Sequence, residues 1–237
     1  MTPAAIQAKI YAGYAKAASI IGLTFSVYRP NTVANSTPLA SGNLVASLPA
    51  QMTVNSSGAN FNKPGGDEDY FWQCMADGRL LKVGDYLVNA TAGTFFITAM
   101  QPLLPLLAVK CNNVISIKRA IANQFDSIGS VSVGAQPYSG VENSTNPLNP
   151  NGEQTLFASV PIALVSRAIG KAKGLDITPS DAPGPVQWWA YPSPAAVPQG
   201  SVRDRDVLVD QDSYRYQTAG AYWTANGYRL QTIRVEA

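Results

Sequence analysis

Histidine is absent from the chain. That removes the usual general base, the side chain that switches near neutral pH and the commonest metal ligand, so Ser-His-Asp and Cys-His chemistry are excluded. Cysteine is nearly absent as well. Cys74 and Cys111 match no zinc or redox spacing. Each follows a strand-like run and reads as a small apolar residue of the core, with a single bridge between them left open. Charge is scarce: 14 % of the 237 residues are Asp, Glu, Lys or Arg, against roughly 25 % in ordinary soluble domains. With 17 basic and 15 acidic residues there is no net field to gather nucleic acid or anionic lipid. Low charge also weakens the repulsion that keeps chains apart, which favours an oligomer.

Long uninterrupted apolar runs are missing too. The greasiest stretch, GTFFITAMQPLLPLLAVKC (Gly93 to Cys111), is broken by Thr98, Gln101, Pro102 and Pro105. A membrane helix needs about 18 or more apolar residues in a row, and no helix keeps two prolines in its middle. The stretch reads as a strand from 94 to 100, a proline-pinned loop from 101 to 105, and a second strand from 106 to 118. The N-terminus has Pro3 and Lys9 where a secretory signal would be continuously apolar, so none is expected.

What is present begins with a helix. Thr2 is an N-cap, Pro3 falls at the first helical position and Gly22 is the stop. Ile6, Ile10, Tyr14, Ala17 and Ile21 form one apolar stripe, decorated by too little charge (Lys9, Lys16) for a membrane surface. LTFSVYRP is a strand closed by Pro30. From 31 to 68 the only strand seeds are Leu44, Val45, Leu48, Met52 and Val54, and 55–69 is a loop. Order returns at Tyr70, Trp72 and Cys74. Asp77-Gly78 signals a hairpin turn, and Leu80 to Val88 reads as strand interrupted at Gly84-Asp85. Residues 120–153 are a Gly, Ser, Asn and Pro passage too long for a loop inside a compact domain. Beyond them come a strand broken by Pro161, a Pro- and Gly-rich passage from 170 to 199 around VQWWAYP, and three final strands with turns at Gln211–Ser213 and Asn226-Gly227. The fold class expected is mainly β. A helix (1–22) precedes a first small antiparallel barrel or sandwich (23–119), a linker or extended arm (120–153) and a second such domain (154–237).

The two ordered blocks match in pattern. Asp85-Tyr86-Leu87-Val88 corresponds to Asp206-Val207-Leu208-Val209, Thr94 to Ala99 to Arg215 to Ala219, and Leu107 to Cys111 to Tyr228 to Thr232, which predicts a duplication. The first block also resembles head-completion, neck and connector proteins of tailed bacteriophages. The resemblance rests on Asp77-Gly78, Val83 to Val88, Gly93 to Ile97, Pro102, Pro105 and Val109 to Cys111, and on the opening AAIQAKIYAGYAKAASIIG and VYRP. It implies a virion protein assembled in the host cytoplasm as a symmetric homo-oligomer. Its partners would be portal, connector or tail components, with passive DNA contact in a channel and no membrane. The neck or head–tail junction comes first, the tail or baseplate second. The helix and the segments 55–69, 120–153 and 178–200 would carry the subunit contacts.

Other readings compete. Asp204, Asp206, Asp210 and Asp212, or Asp67, Glu68 and Asp69, offer carboxylates for glycoside hydrolysis or calcium. The first group sits at strand ends beside Arg203 and Arg205, and its loop lacks the glycine turn and terminal glutamate of an EF-hand. Trp188, Trp189 and Tyr191 in a proline-rich loop, or Tyr222 and Trp223, could stack on sugars in a receptor-binding module. Lys110, Lys118 and Arg119, and Arg167, Lys171 and Lys173, are the nearest approach to basic patches and read as solvated faces. No catalytic, cofactor or metal residue is assigned, and the chain is not expected to be an enzyme.

Overall fold

The computed structural model describes residues 2–31, 37–53, 70–120, 153–168 and 186–235. The expected contact segments 55–69 and 121–152, the residues 178–185, Asp67, Glu68, Asp69, Lys171 and Lys173 lie outside these, as does the side chain of Arg167.

Helix α1 (Pro3–Ile21) starts as expected. Thr2 accepts from the Ala5 amide, Pro3 opens the helix, and the Gly22 amide closes it on the Ala18 carbonyl. Its packing face differs from the anticipated stripe by about one residue. Tyr11 and Ala18 are buried while Ile6, Ile20 and Ile21 are exposed. Two glycines explain the shift. A Cβ on Gly78 would meet the Tyr11 ring at 2.6 Å, and one on Gly22 would meet the Ala50 carbonyl at 2.7 Å. The helix therefore comes closest to the sheet where glycine leaves room, and Tyr11 takes that room.

Twelve strands follow among the described residues, and they form two six-stranded antiparallel barrels. The first consists of β1 (Leu23–Tyr28), β2 (Leu44–Thr53), β3 (Phe71–Met75), β4 (Tyr86–Asn89), β5 (Gly93–Ala99) and β6 (Leu106–Lys110). Its order around the barrel is β1-β2-β3-β6-β5-β4, closed by β4 on β1. The second consists of β7 (Asn113–Ala120), β8 (Glu153–Ala168), β9 (Val186–Pro192), β10 (Val207–Asp210), β11 (Arg215–Thr224) and β12 (Gly227–Val235). Read as β7-β8-β9-β12-β11-β10, its order is the same, and β10 closes on β7. Full closure removes the unpaired strand edges that an open sheet would present.

Several sequence expectations change here. The strand anticipated from 106 to 118 is two strands in different barrels. The switch occurs between neighbouring amides: Cys111 N donates to Thr94 O in the first barrel, and Asn112 N donates to Ile162 O in the second. The Asn112 side chain then exchanges two bonds with Leu164 of β8. Asp77-Gly78 does not make a hairpin, because β3 pairs with β2 and β6. Of 80–88, only Tyr86 onward is strand. Pro161 does not break β8; the strand runs through it, with the β7–β8 register slipping between Ile115 and Ile117. VQWWAYP is strand β9, not loop.

Phe25, Val27, Leu87, Phe95, Ile97 and Ala108 fill the first barrel. The outward faces of β3 to β6 supply Phe71, Tyr86, Phe96 and Val109 to the core of the second barrel, with Ile162, Tyr191, Ala196 and Val197 among their companions. The barrels thus share a buried seam.

Candidate functional site

The duplication is most exact in one polar feature. Arg29 follows β1, and Asp85 precedes β4. Arg29 Nε donates to Asp85 Oδ1 at 2.8 Å and Nη2 to Oδ2 at 2.7 Å, while Lys82 N donates to Oδ2 at 2.8 Å. In the second barrel Arg119 Nε and Nη2 donate to Asp206 Oδ1 and Oδ2, each at 2.8 Å, and Arg203 N donates to Oδ2 at 2.8 Å. Each arginine also reaches a carbonyl five residues before its aspartate, Leu80 or Ser201. The residue before each aspartate has positive φ, Gly84 at 92° and Arg205 at 73°. Hydrogen bonds from the guanidinium to the carboxylate hold the pKa of both arginines above its ordinary value. Such a bidentate fork ties the end of the first strand to the entry of the fourth, where each barrel closes.

Other details repeat. The Asn89 side-chain Oδ1 accepts from the Thr91 and Ala92 amides, and the Asp210 carboxylate at the equivalent place accepts from the Asp212 and Tyr214 amides. Both β5 and β11 carry a bulge, between Ile97 and Ala99 and between Thr218 and Gly220. Pairing places Val88 and Val209 opposite Thr94 and Arg215, as the sequence alignment has it. For the last strand the alignment is three residues out, since Leu107 faces Ala99 where Gln231 faces Gly220. The longer β11 and its tight Asn226-Gly227 turn take up the difference.

The carboxylates anticipated as a rival catalytic group do not converge. Asp206 is clamped by Arg119. Asp210 caps its turn and accepts from Tyr216 Oη, whose pKa is pushed up to about 12, first by burial and then by that carboxylate. Asp204 accepts from the Ala221 amide. The basic residues are likewise dispersed. Lys110 lies over the Trp72 ring, Lys118 faces Glu153, and Arg119 belongs to the clamp.

The aromatic candidates are strand residues with partners. Trp188 packs edge-on against Tyr216 at 5.5 Å, and Arg229 covers the Trp189 ring at 4.0 Å. Tyr191 is buried against Phe71. Only Tyr222 and Trp223 present substantial surface, 52 % and 39 % exposed. Cys74 and Cys111 are free thiols; burial pushes Cys74 up to about 12 and Cys111 upward as well.

The chain matches no family model, no curated protein and no solved structure. The two most exposed large apolar side chains among the described residues lie on α1. Ile20 is 75 % and Ile21 61 % exposed at the end of α1, next to exposed Leu23. At the other end of α1 an apolar groove of about 570 Å³ is lined by Pro3, Ile6, Tyr11, Met100, Pro102 and Leu103. Gln7 Oε1 accepts from the Leu103 amide at 2.7 Å and fixes the rim.

Sequence reasoning missed the clamp arginines and the exposed edge of α1. The clamp had a signal, since VYRP and SIKRA each end a strand in arginine and the acidic partners were already aligned. The exposed edge had none, because a stripe drawn by periodicity does not say which flank meets the sheet.

Proposed function

We propose that the chain is a structural subunit of a tailed-phage virion, assembling into a symmetric oligomer at the neck or head–tail junction, or otherwise in the tail. The exposed isoleucine edge of α1 carries this reading: apolar side chains this far into water on a chain with so little charge match a surface made to be covered. The seam between the barrels gives such a subunit a shape set by buried contacts. Tyr86 Oη donates to Pro161 O at 3.0 Å, Ser193 Oγ to Gly84 O at 2.8 Å and Thr98 Oγ1 to Asn226 O at 2.6 Å. In a ring, where each subunit repeats its neighbour's angles, such rigidity matters more than any reactive group. Portal, connector or tail components would be its neighbours, and any contact with DNA would be passive.

The test is the protein content of purified particles from an induced phage that encodes the chain. The expected result is the chain present at a fixed, stoichiometric copy number that survives gradient purification. Its absence from particles would overturn the reading.

Exposed Tyr222 and Trp223 favour a second reading, a receptor- or carbohydrate-binding tail module. Glycan binding lost on Tyr222→Ala with assembly intact would favour it. Trp188 and Trp189 are poor probes, because both are packed into the barrel wall.

A further inference from the structure

We infer that α1 is a cap that ends an array of docked barrels, by occupying on the first barrel the site that a barrel face occupies on the second. The strand registers allow the comparison residue by residue. Across the first barrel, Phe71 pairs with Val109, Val109 with Phe96, Phe96 with Tyr86 and Tyr86 with Tyr28. This outward row docks on the second barrel, and its first four members are at most 4 % exposed. Three places on the second barrel receive the row and its neighbours. Tyr86 Oη donates to the Pro161 carbonyl in β8; Ser193, just past β9, donates to the Gly84 carbonyl; and Thr98 Oγ1 donates to the Asn226 carbonyl in the turn between β11 and β12.

The same three places on the first barrel are held by α1. Thr24 pairs with Pro49 as Val114 pairs with Pro161, so Pro49 stands in β2 where Pro161 stands in β8. Beside Pro49, Gly22 abuts the Ala50 carbonyl. Just past β3, Tyr11 lies against Gly78. In the loop between β5 and β6, Gln7 Oε1 accepts from the Leu103 amide. The helix is lightly held there, with Tyr11 and Ala18 its only buried residues.

The other end of the array is closed by chemistry. In the second barrel the row that corresponds to the docking row is Gln187, Ile233, Gln217, Val207 and Lys118. Glutamine replaces both phenylalanines, lysine replaces Tyr28, and Ile233 is left 53 % exposed. Burying two amides and an ammonium where the first barrel buries rings would leave polar groups without partners, so this face does not dock on a third barrel. Arrays of stacked units end this way, with terminal surfaces unlike the interior ones. The inference goes beyond the assembly reading: it names a contact that copies are kept from making, and leaves other surfaces for the oligomer.

Restoring one end and releasing the other tests this in full-length chains. Gln187→Phe/Gln217→Phe gives the second barrel the aromatic row of the first. Tyr11→Asp/Ala18→Asp frees α1 from its site. Gln7→Ala/Tyr11→Ala is the milder release should that variant fail to fold, with circular dichroism as the check. Sedimentation velocity is run on each variant alone, on the two mixed, and on each mixed with wild type. Association through other surfaces is present in the wild type too, so the gain over wild type is what is read. The expected result is a gain only in the mixture of the two variants, as a complex at least tenfold tighter than in any other sample. No gain in that mixture overturns the inference. So does a restored-face variant that binds wild type as tightly as it binds the released one, because α1 would then block nothing. Either result leaves the assembly reading standing.

Discussion

Arg29→Ala should destabilise the protein by about 3 kcal/mol. Asp85 is 1 % exposed, and two of its three hydrogen bonds come from Arg29. Removing the arginine strands a buried carboxylate with one backbone donor, from Lys82. Breaking a buried pair on one side costs roughly 3–5 kcal/mol. Arg29 is itself 31 % exposed, so water can enter the space it leaves, and the lower end of the range applies. Arg29→Lys should lie between wild type and alanine, because an ammonium keeps the charge but not the fork. Arg119→Ala should match Arg29→Ala, since Asp206 is 3 % and Arg119 29 % exposed with the same three bonds. Urea unfolding of the whole chain, with Asp85→Ala closing a double-mutant cycle, measures each value. A loss below about 1 kcal/mol, as for an exposed ion pair, would refute the reasoning. So would a large difference between the two arginines, because the clamps would then not be equivalent.

Three further outcomes are expected. Gly84→Ala should cost about 2–5 kcal/mol, combining left-handed strain with overpacking, because its Cβ would fall 2.2 Å from that of Ala195 at φ 92°; unfolding with an unchanged midpoint would contradict this. Tyr216 is raised from 10.0 to about 12, so the folded state holds its proton more tightly than the unfolded one. Its contribution is whole below pH 10 and is lost as pH rises toward about 12, which stability measured across that range, with Tyr216→Phe as control, should show. Cys74 and Cys111 should both react with a thiol reagent more slowly than a free cysteine in the folded protein, Cys111 first because it is partly exposed; a Cys74 that reacts as fast in the folded as in the denatured protein would contradict its burial.

Local chemistry was readable where one residue decides. Thr2, Pro3 and Gly22 marked the helix, Asn226-Gly227 the last hairpin, and the two prolines after Gln101 the loop between β5 and β6. The mainly-β class, the single N-terminal helix and the repeat followed from such marks and from alternation. Features decided by distant contacts were not readable. The apolar run from 106 to 118 gives no hint that Cys111 and Asn112 bond to different barrels. Pro161 looked like a break because a proline in a strand lacks a donor, yet its carbonyl is used by Tyr86 across the seam. Trp188 and Trp189 looked exposed because they are flanked by prolines and glycines, but pairing with β8 and β12 places them in the barrel wall. Asp206 looked like a member of an acidic cluster until Arg119, 87 residues away, turned it into half of a clamp.

Native mass spectrometry of the full chain, alone and after addition of portal or tail components, tests the central claim most directly. A ring of defined copy number, or incorporation on addition of a partner, is the result expected. A monomer that joins none of them would contradict the assembly account.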